Sequence, residues 1–540
     1  MHAQIRVSLR VWRYGQRMAV EHEDPRSITP PADAPEESSR PESRPGPSGD
    51  PADPPGVERV RLARGGALLF EAEGFRLIEP RGLKRSPLHD YDSITHVYIT
   101  DRLLLIGTRD RLLTIRIRDF VDEQEGPRRA EQALRERVGA LSDGARRLQS
   151  IDEVDRLGER DGPPWIIWTL VGLCLVVTAL QLNDPQLKEI GAFLPELFGR
   201  GEYWRAITAH FLHDLTPSPG PIRALFPSLV VLPIHLMVNV AGMLVLGHLV
   251  ERPIGSWRTA IVIACSAVGT IAGIVIAGHV NVIGSSGLVA GLAGSMLALE
   301  LHFSESMPTF WRLPRRLFIA VILVQFLMID PLFKSYLAGG AHLGGFAGGY
   351  LSTWALGRPS LASLEPTPAL KLGGYSAALL VGIGFIGALP LARHDMGALE
   401  RHASRLWNTQ DAPYLYQYDN AAAWLIATEE GASEQGLELA VALADRAVAS
   451  TGRLHPGILD TLAEALFQSG DALGAVLTIE EAIQLQPWEP YFFEQWRRFT
   501  GERSPDDRPP PPDYAPPPDG VFDRELLPAP IDPDAPRVTI

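Results

Sequence analysis

The sequence predicts a polytopic α-helical membrane protein with a small β-rich domain before its helices and an α-helical repeat domain after them. Three observations lead there. Long apolar runs occupy Trp165 to Leu391, charged residues crowd into Arg59 to Arg160 and Arg393 to Asp534, and the hydrophobic period differs on the two sides of the apolar region. A chain of 540 residues that is 46% hydrophobic fits either a soluble multidomain protein or a membrane core with polar wings, and this segregation selects the second. The formal net charge of -14 argues against a dedicated nucleic-acid binder, whose affinity rests on neutralising phosphates. Both cysteines, Cys174 and Cys265, lie inside apolar runs, so neither a disulfide framework nor a thiolate metal site is expected, and no metal or cofactor is implied.

In chain order, residues 1–56 are expected to be disordered, because proline, serine, glutamate and arginine dominate Asp24 to Gly56 and bury too little apolar area to offset ordering entropy. The first twenty residues are basic and lack the apolar stretch of a cleavable signal, so insertion is expected to start at the first transmembrane helix. Residues 57–150 read as a small antiparallel sheet followed by one helix. Short alternating runs such as "SITHVYIT" and "LLTIRIR" are separated by Gly, Asp and Arg turns, and Ala130, Leu134, Val138 and Leu141 share a face after Gly126 and Pro127. Strands closed by a C-terminal helix resemble a pleckstrin-homology-like module. That resemblance implies lipid-headgroup binding, with protein docking or a structural role as the favoured alternatives.

Crossing roughly 30 Å of hydrocarbon takes about 20 apolar residues. Seven segments approach that length: Trp165 to Leu182, Leu229 to Val250, Arg258 to Gly278, Ile283 to His302, Leu317 to Phe333, Leu337 to Leu356 and Tyr375 to Ala392. Arg252 and Arg258, then Arg312, Arg315 and Arg316, then Arg358 and Lys371 fall in alternate short loops, which places those loops and the N-terminus in the cytoplasm and the C-terminus outside. Arg200, Arg205 and Arg223 in the long outer loop run against this bias.

Polar groups stranded in such spans are functional candidates, because they cost free energy unless paired or facing water. His235 and Asn239 are one helical turn apart in the second span, Ser285 and Ser286 open the fourth, and His342 lies in the sixth. On this orientation His235, Asn239, Ser286 and His342 share one depth near the outer leaflet. A serine and a histidine at one depth can act as nucleophile and general base. Gly287 and Gly291 after Ser286, and Gly345 and Gly349 after His342, form small-residue rows that allow two helices to approach closely. No carboxylate is expected to orient the imidazole, so the pair reads as a dyad, and Asp330 reads as a solvated helix end, with a place in the gate as the alternative. The GxSxG elbow of α/β-hydrolases fits poorly, since Leu288 occupies the last glycine position and no strand precedes it.

Five motifs in order resemble the rhomboid family of intramembrane serine proteases: "GEYWRAITAHFLH" with Trp204 and Arg205, HxxxN at His235 and Asn239, GxxxE at Gly247 and Glu251, GxSG at Gly284, Ser286 and Gly287, and AHxxGxxxG at Ala341, His342, Gly345 and Gly349. The resemblance covers about Gly201 to Tyr350. It implies a six-helix core within residues 165–356 plus a seventh helix at 375–392, Ser286 as nucleophile, His342 as general base, and His235 with Asn239 as oxyanion donors. It also implies transmembrane proteins as substrates in the lipid bilayer and no cofactor. The odd number of spans puts the C-terminus outside, so a bacterial inner-membrane location with a periplasmic C-terminus is expected. A catalytically weak or inactive adaptor that binds transmembrane clients is the competing reading. Two departures stand out. Residues between His213 and His235 form an insertion beside the expected site, and Ala290 stands where the family often packs an aromatic ring on the imidazole.

After the last span, residues 397–500 resemble a tetratricopeptide-like region. Leu459, Leu462 and Leu466 are followed by Gly470, Ala475, Ile479, Ala482 and Pro487, Ala440 and Ala447 repeat the seven-residue spacing of Ala475 and Ala482, and Trp488, Tyr491 and Phe492 read as a cap. This implies protein partners for the C-terminal repeats, or a stabilising appendage. Residues 501–540 are proline-rich and expected to be disordered.

Overall fold

The computed structural model describes residues 57–79, 86–159, 162–215, 233–334, 337–357, 366–409 and 413–510. They form two compact units, one from the described residues within 1–175, 214–279 and 284–379, the other from those within 176–213, 280–283 and 380–540. The expectations for residues 1–56, for most of 501–540 and for most of the insertion before His235 fall outside the described residues.

The first unit begins with β1 (Glu58–Arg61), β2 (Ala67–Phe70), β3 (Gly74–Ile78) and β4 (His89–Asp90), an antiparallel sheet in sequence order, then β5 (Ile94–Ile99), β6 (Leu103–Thr108) and β7 (Leu112–Arg116), a second antiparallel sheet. The sequence pattern predicts one sheet. The short helical turn Tyr91–Ser93 and the register shift between Ile94 and His96 interrupt the ladder, so two form. Both bury their inner faces, including Leu68, Phe70, Leu104 and Ile106, against Ala130, Leu134 and Val138 of α1 (Glu125–Gly139) and Ile151 of α2 (Gly144–Gly158). The helix expected to run from Gly126 to about Leu148 is therefore two helices. The chain turns after Gly139, where Gly144 N–H bonds Leu141 O at 2.9 Å, and α2 has its own apolar face of Ile151, Val154 and Leu157.

This domain sits on the loop between the fourth and fifth membrane segments. Arg312 Nη1 donates to Arg109 O at 2.9 Å, Arg109 pairs with Glu305 at 3.3 Å, and the Phe310 ring meets the edge of His96.

Helices α3 (Trp165–Asn183), α7 (Ile234–Ile254), α8 (Ser256–Ala277) and α13 (Pro368–Ala392) are long and apolar enough to cross a membrane by length and composition; the numbers between α3 and α7 belong to the second unit below. The apolar helix α9 (Ser286–His302) is shorter. The expected fifth span is interrupted: α10 (Arg315–Val324) passes through a π turn at Gln325–Ile329 into a single turn, α11 (Asp330–Leu332). Helix α12 (Gly339–Leu356) lies between α8 and α9. Large apolar side chains such as Val245, Val268, Ile276, Leu327 and Leu351 are exposed on the outside of these helices, as lipid contact requires.

The helices meet through glycine, as the small-residue rows predict. A Cβ on Gly345 would strike the carbonyl oxygen of Gly287, one on Gly349 the carbonyl of Gly291, and one on Gly344 the carbonyl of Gly269. Backbone rests on backbone at both interfaces of α12.

The second unit joins α4 (Leu187–Gly191), α5 (Pro195–Gly199) and α6 (Arg205–Thr208) to a helical array: α14 (Met396–Trp407), α15 (Tyr416–Thr428), α16 (Glu434–Ser450), α17 (Pro456–Gln468), α18 (Ala472–Leu485) and α19 (Pro490–Phe499). One core runs through it, with Ile190, Leu194 and Leu197 packed with Leu399, Ile426, Leu443, Leu459 and Ile479. Ala440, Ala447, Ala475 and Ala482 are completely buried, which lets consecutive helices pack closely. The Ser433 and Asp471 side chains cap α16 and α18 by accepting the Gly436 and Gly474 N–H groups.

Candidate active site

The site is assembled at the N-terminal end of α9. Gly284 takes φ 114°, a left-handed conformation that favours glycine, and turns the chain into the helix. A Cβ there would also lie 2.7 Å from the His235 ring, so the turn and the close approach require the same residue. Val289 N–H makes the first intrahelical bond, to Ser285 O at 3.0 Å, which leaves the N–H groups of Ser286, Gly287 and Leu288 without partners inside the helix.

The two serines have different surroundings. Ser285 is fully buried and accepts a weak hydrogen bond from the Cys174 thiol at 4.0 Å. Ser286 is half-buried, and its Oγ lies 2.9 Å from Nε2 of His342. His342 is in the first turn of α12, held beside α9 by the Gly287–Gly345 contact.

The other imidazole nitrogen, Nδ1, lies 2.9 Å from Oδ1 of Asp330. Asp330 is 5% exposed, so it is neither solvated nor remote from the imidazole, and the expectation that no carboxylate orients His342 is corrected. The cause is the π turn. Asp330 N–H bonds Gln325 O five residues back, and the extra residue rotates Asp330 about the helix axis by about 100° relative to an unbroken α-helix. An ionised carboxylate only accepts, so Nδ1 carries the proton and Nε2 of the neutral ring is free to accept from Ser286 Oγ.

His235 and Asn239 both border Gly284. Asp214 N–H donates to His235 Nδ1 at 3.2 Å, which leaves Nε2 as the protonated nitrogen of the neutral ring, on the side facing Gly284. The buried Asn239 amide donates to His235 O at 2.8 Å, which ties the two residues together.

The remaining predicted motif residues sit elsewhere. Glu251 accepts from the backbone N–H groups of Ile166 and Ile167 at the start of α3, each at 3.1 Å. Trp204 and Arg205 belong to the second unit, where the fully buried Arg205 bonds the Glu202 carboxylate at 2.7 Å and the carbonyls of Glu189 and Ala192 at 2.7 and 2.8 Å. Trp204 Nε1 donates to Ile190 O at 3.4 Å. Sequence reasoning missed Asp330 and Gln325 as site residues; the available signal was an acid in an apolar segment.

A hydroxyl bonded to one nitrogen of an imidazole, with a carboxylate at the other nitrogen and helix N–H groups beside the hydroxyl, can carry out acyl transfer. Residues 229–359 match the Rhomboid domain family. Rhomboid protease GluP of Bacillus subtilis (strain 168) is 25% identical over 341 residues, a match that takes in 61% of this chain and 56%, little more than half, of that relative's length. No solved structure matches. The apolar helices and these matches describe an integral membrane protein of helical type whose residues 229–359 are similar to the Rhomboid domain family.

Proposed function

We propose that this protein is an intramembrane serine endopeptidase that cleaves membrane-anchored proteins in or beside their transmembrane segments. The observation that carries the reading is the 2.9 Å contact between Ser286 Oγ and His342 Nε2 on two helices packed backbone to backbone. Ser286 Oγ attacks the scissile carbonyl carbon while His342 Nε2 takes the hydroxyl proton, and the carbonyl π pair moves onto oxygen. His235 Nε2–H, the Asn239 amide and the free N–H groups of Ser286 and Gly287 are the donors available to that oxyanion. His342 then protonates the leaving amine, and water hydrolyses the acyl-enzyme by the same route in reverse. No cofactor takes part in these steps.

The proposed topology, N-terminus in the cytoplasm and C-terminus in the periplasm of a bacterial inner membrane, has its own support. The N-terminal domain packs on the loop that holds Arg312, which the charge pattern assigns to the cytoplasm. The C-terminal helices share a core with residues 187–199, in the loop that the sequence assigns to the outside. A C-terminal array on the outer side is placed to meet substrate ectodomains. A tag fused after Ile540 should be digested by protease added to spheroplasts; protection of the tag overturns the topology.

A fluorophosphonate probe tests the catalytic reading. Wild type should label, and Ser286→Ala and His342→Ala should not. Equal labelling of wild type and Ser286→Ala, or cleavage of a single-span reporter by Ser286→Ala at the wild-type rate, overturns the reading. Failure of folded wild type both to label and to cleave leaves the adaptor reading.

A further inference from the structure

We infer that Asp330 is a positioning residue for the reaction, so that the site works as a Ser286–His342–Asp330 triad. The inference rests on the proposed protease activity and adds to it.

Four observations converge. Asp330 Oδ1 is 2.9 Å from His342 Nδ1, and both residues are buried, at 5% and 6% exposure. Gln325 Nε2 donates to the same oxygen at 2.8 Å and fixes the carboxylate from one turn back. The π turn between Gln325 and Asp330 aims both side chains to one side. Asp330 Oδ2 is buried without a hydrogen-bond partner among the described residues. A carboxylate used only to join helices would be expected to satisfy both oxygens, because a buried unpaired oxygen is costly. Here the carboxylate keeps that cost and is directed at one ring nitrogen.

The chemistry of the step gives the carboxylate its role. When Ser286 transfers its proton to Nε2, the ring becomes an imidazolium with N–H groups on both sides. The Nδ1 proton stays on nitrogen, donated to Asp330 Oδ1, and the carboxylate stabilises the positive charge without being protonated. In the resting ring the same bond selects the tautomer whose Nε2 can accept from serine.

Asp330→Asn and Asp330→Glu in the full-length protein test this, with inactivation by a fluorophosphonate and cleavage of a single-span reporter as the readouts. The maximal rate of Asp330→Asn should fall about 100-fold, within the range general-base catalysis supplies, with KM and the apparent probe affinity nearly unchanged. Asp330→Glu should recover part of the rate.

A structural clamp would lower the unfolding midpoint while folded molecules kept the wild-type rate, and that result overturns the inference. Should the variants fail to fold, 15N NMR of histidine-labelled wild type, with His342 assigned by its loss in His342→Ala, decides: an Nδ1–H tautomer is expected, and an Nε2–H tautomer overturns the proposal. An inactive Ser286→Ala beside a fully active Asp330→Asn rejects the triad alone, whereas a fully active Ser286→Ala rejects the protease reading itself.

Discussion

Glu251, near the end of α7, accepts the backbone N–H of Ile167 at 3.1 Å. The same carboxylate accepts Ile166 N–H at 3.1 Å and the Ser256 hydroxyl at 2.5 Å. First-turn N–H groups have no partner within their own helix, and a negative charge beside them is favourable. Gly247, one turn earlier, leaves the space that the Ile167 side chain fills. The GxxxE motif is thus a socket for the start of α3. Glu251→Ala should lower stability by about 2 kcal/mol or more, since it leaves several donors unsatisfied, and Glu251→Gln by less. Unfolding in mixed micelles followed by circular dichroism measures both, and an unchanged midpoint for the alanine variant rejects the socket.

The approach of α9 to α12 makes a second prediction. Because a Cβ on Gly349 would run into the backbone of Gly291, the alanine variant can be accommodated only if one helix moves. Gly349→Ala should separate Ser286 from His342 and lower fluorophosphonate labelling by more than about tenfold, an order of magnitude typical of misplaced reacting groups. Gly172 of α3 has open space around its Cβ position and serves as the control. Gly172→Ala should keep full labelling and gain up to about 1 kcal/mol of stability from helix propensity. Equal effects of the two substitutions would count against backbone contact as the determinant.

The division between legible and hidden features has its origin in these contacts. Helix positions were readable because apolar length reports burial in lipid, and the glycine rows around Ser286 and His342 were readable because close packing needs small residues at regular spacing. Asp330 was hidden because a helical wheel assumes constant pitch, and the π turn at Gln325–Ile329 breaks that assumption immediately before the acid. The second sheet and the break after Gly139 were hidden because alternation and amphipathicity mark faces and do not show where a chain reverses. Ala290 offers no ring to the imidazole, and the carboxylate on the other side of the ring supplies a partner of a different kind.

In the second unit Asn281 takes φ 54°, and its Oδ1 accepts the Tyr418 hydroxyl at 2.6 Å. Phe193 and Val282 hold the same short segment by paired backbone bonds of 2.9 and 3.1 Å. Tyr418→Phe should cost about 1 kcal/mol, the usual net value of one such bond. Asn281→Gly removes the same bond and the 3.4 Å bond that Asn281 Nδ2 donates to Gln417 Oε1, but keeps the left-handed backbone, whereas Asn281→Ala adds strain of roughly 1–2 kcal/mol. The combination Asn281→Gly with Tyr418→Phe should therefore cost little more than Asn281→Gly alone. Thermal unfolding of the four proteins provides the cycle, and additive losses would mean that the two side chains do not act through one bond.

A pH dependence should arise in the C-terminal helices. Burial pushes the Asp460 carboxyl up to about 7, against hydrogen bonds from Gln495 and Tyr491 that favour the charged form, while the nearby Glu464 raises it further. Those bonds are 3.0 Å from Gln495 Nε2 and 2.9 Å from Tyr491 Oη. In the unfolded chain the same group titrates near its ordinary value of about 3.9. Between those two values the folded protein binds more protons than the unfolded one, so this group's contribution to stability falls as pH rises through the window and is level outside it. Asp460→Asn keeps an acceptor for the Tyr491 hydroxyl and cannot ionise. The difference in unfolding temperature, variant minus wild type, should therefore grow from pH 4 to pH 7 and then stay constant, because every other titrating group is shared. A difference that is flat across the window, or that shrinks as pH rises, would show that Asp460 stays ionised in the folded protein and that Arg498 and the hydrogen bonds from Gln495 and Tyr491 outweigh its burial.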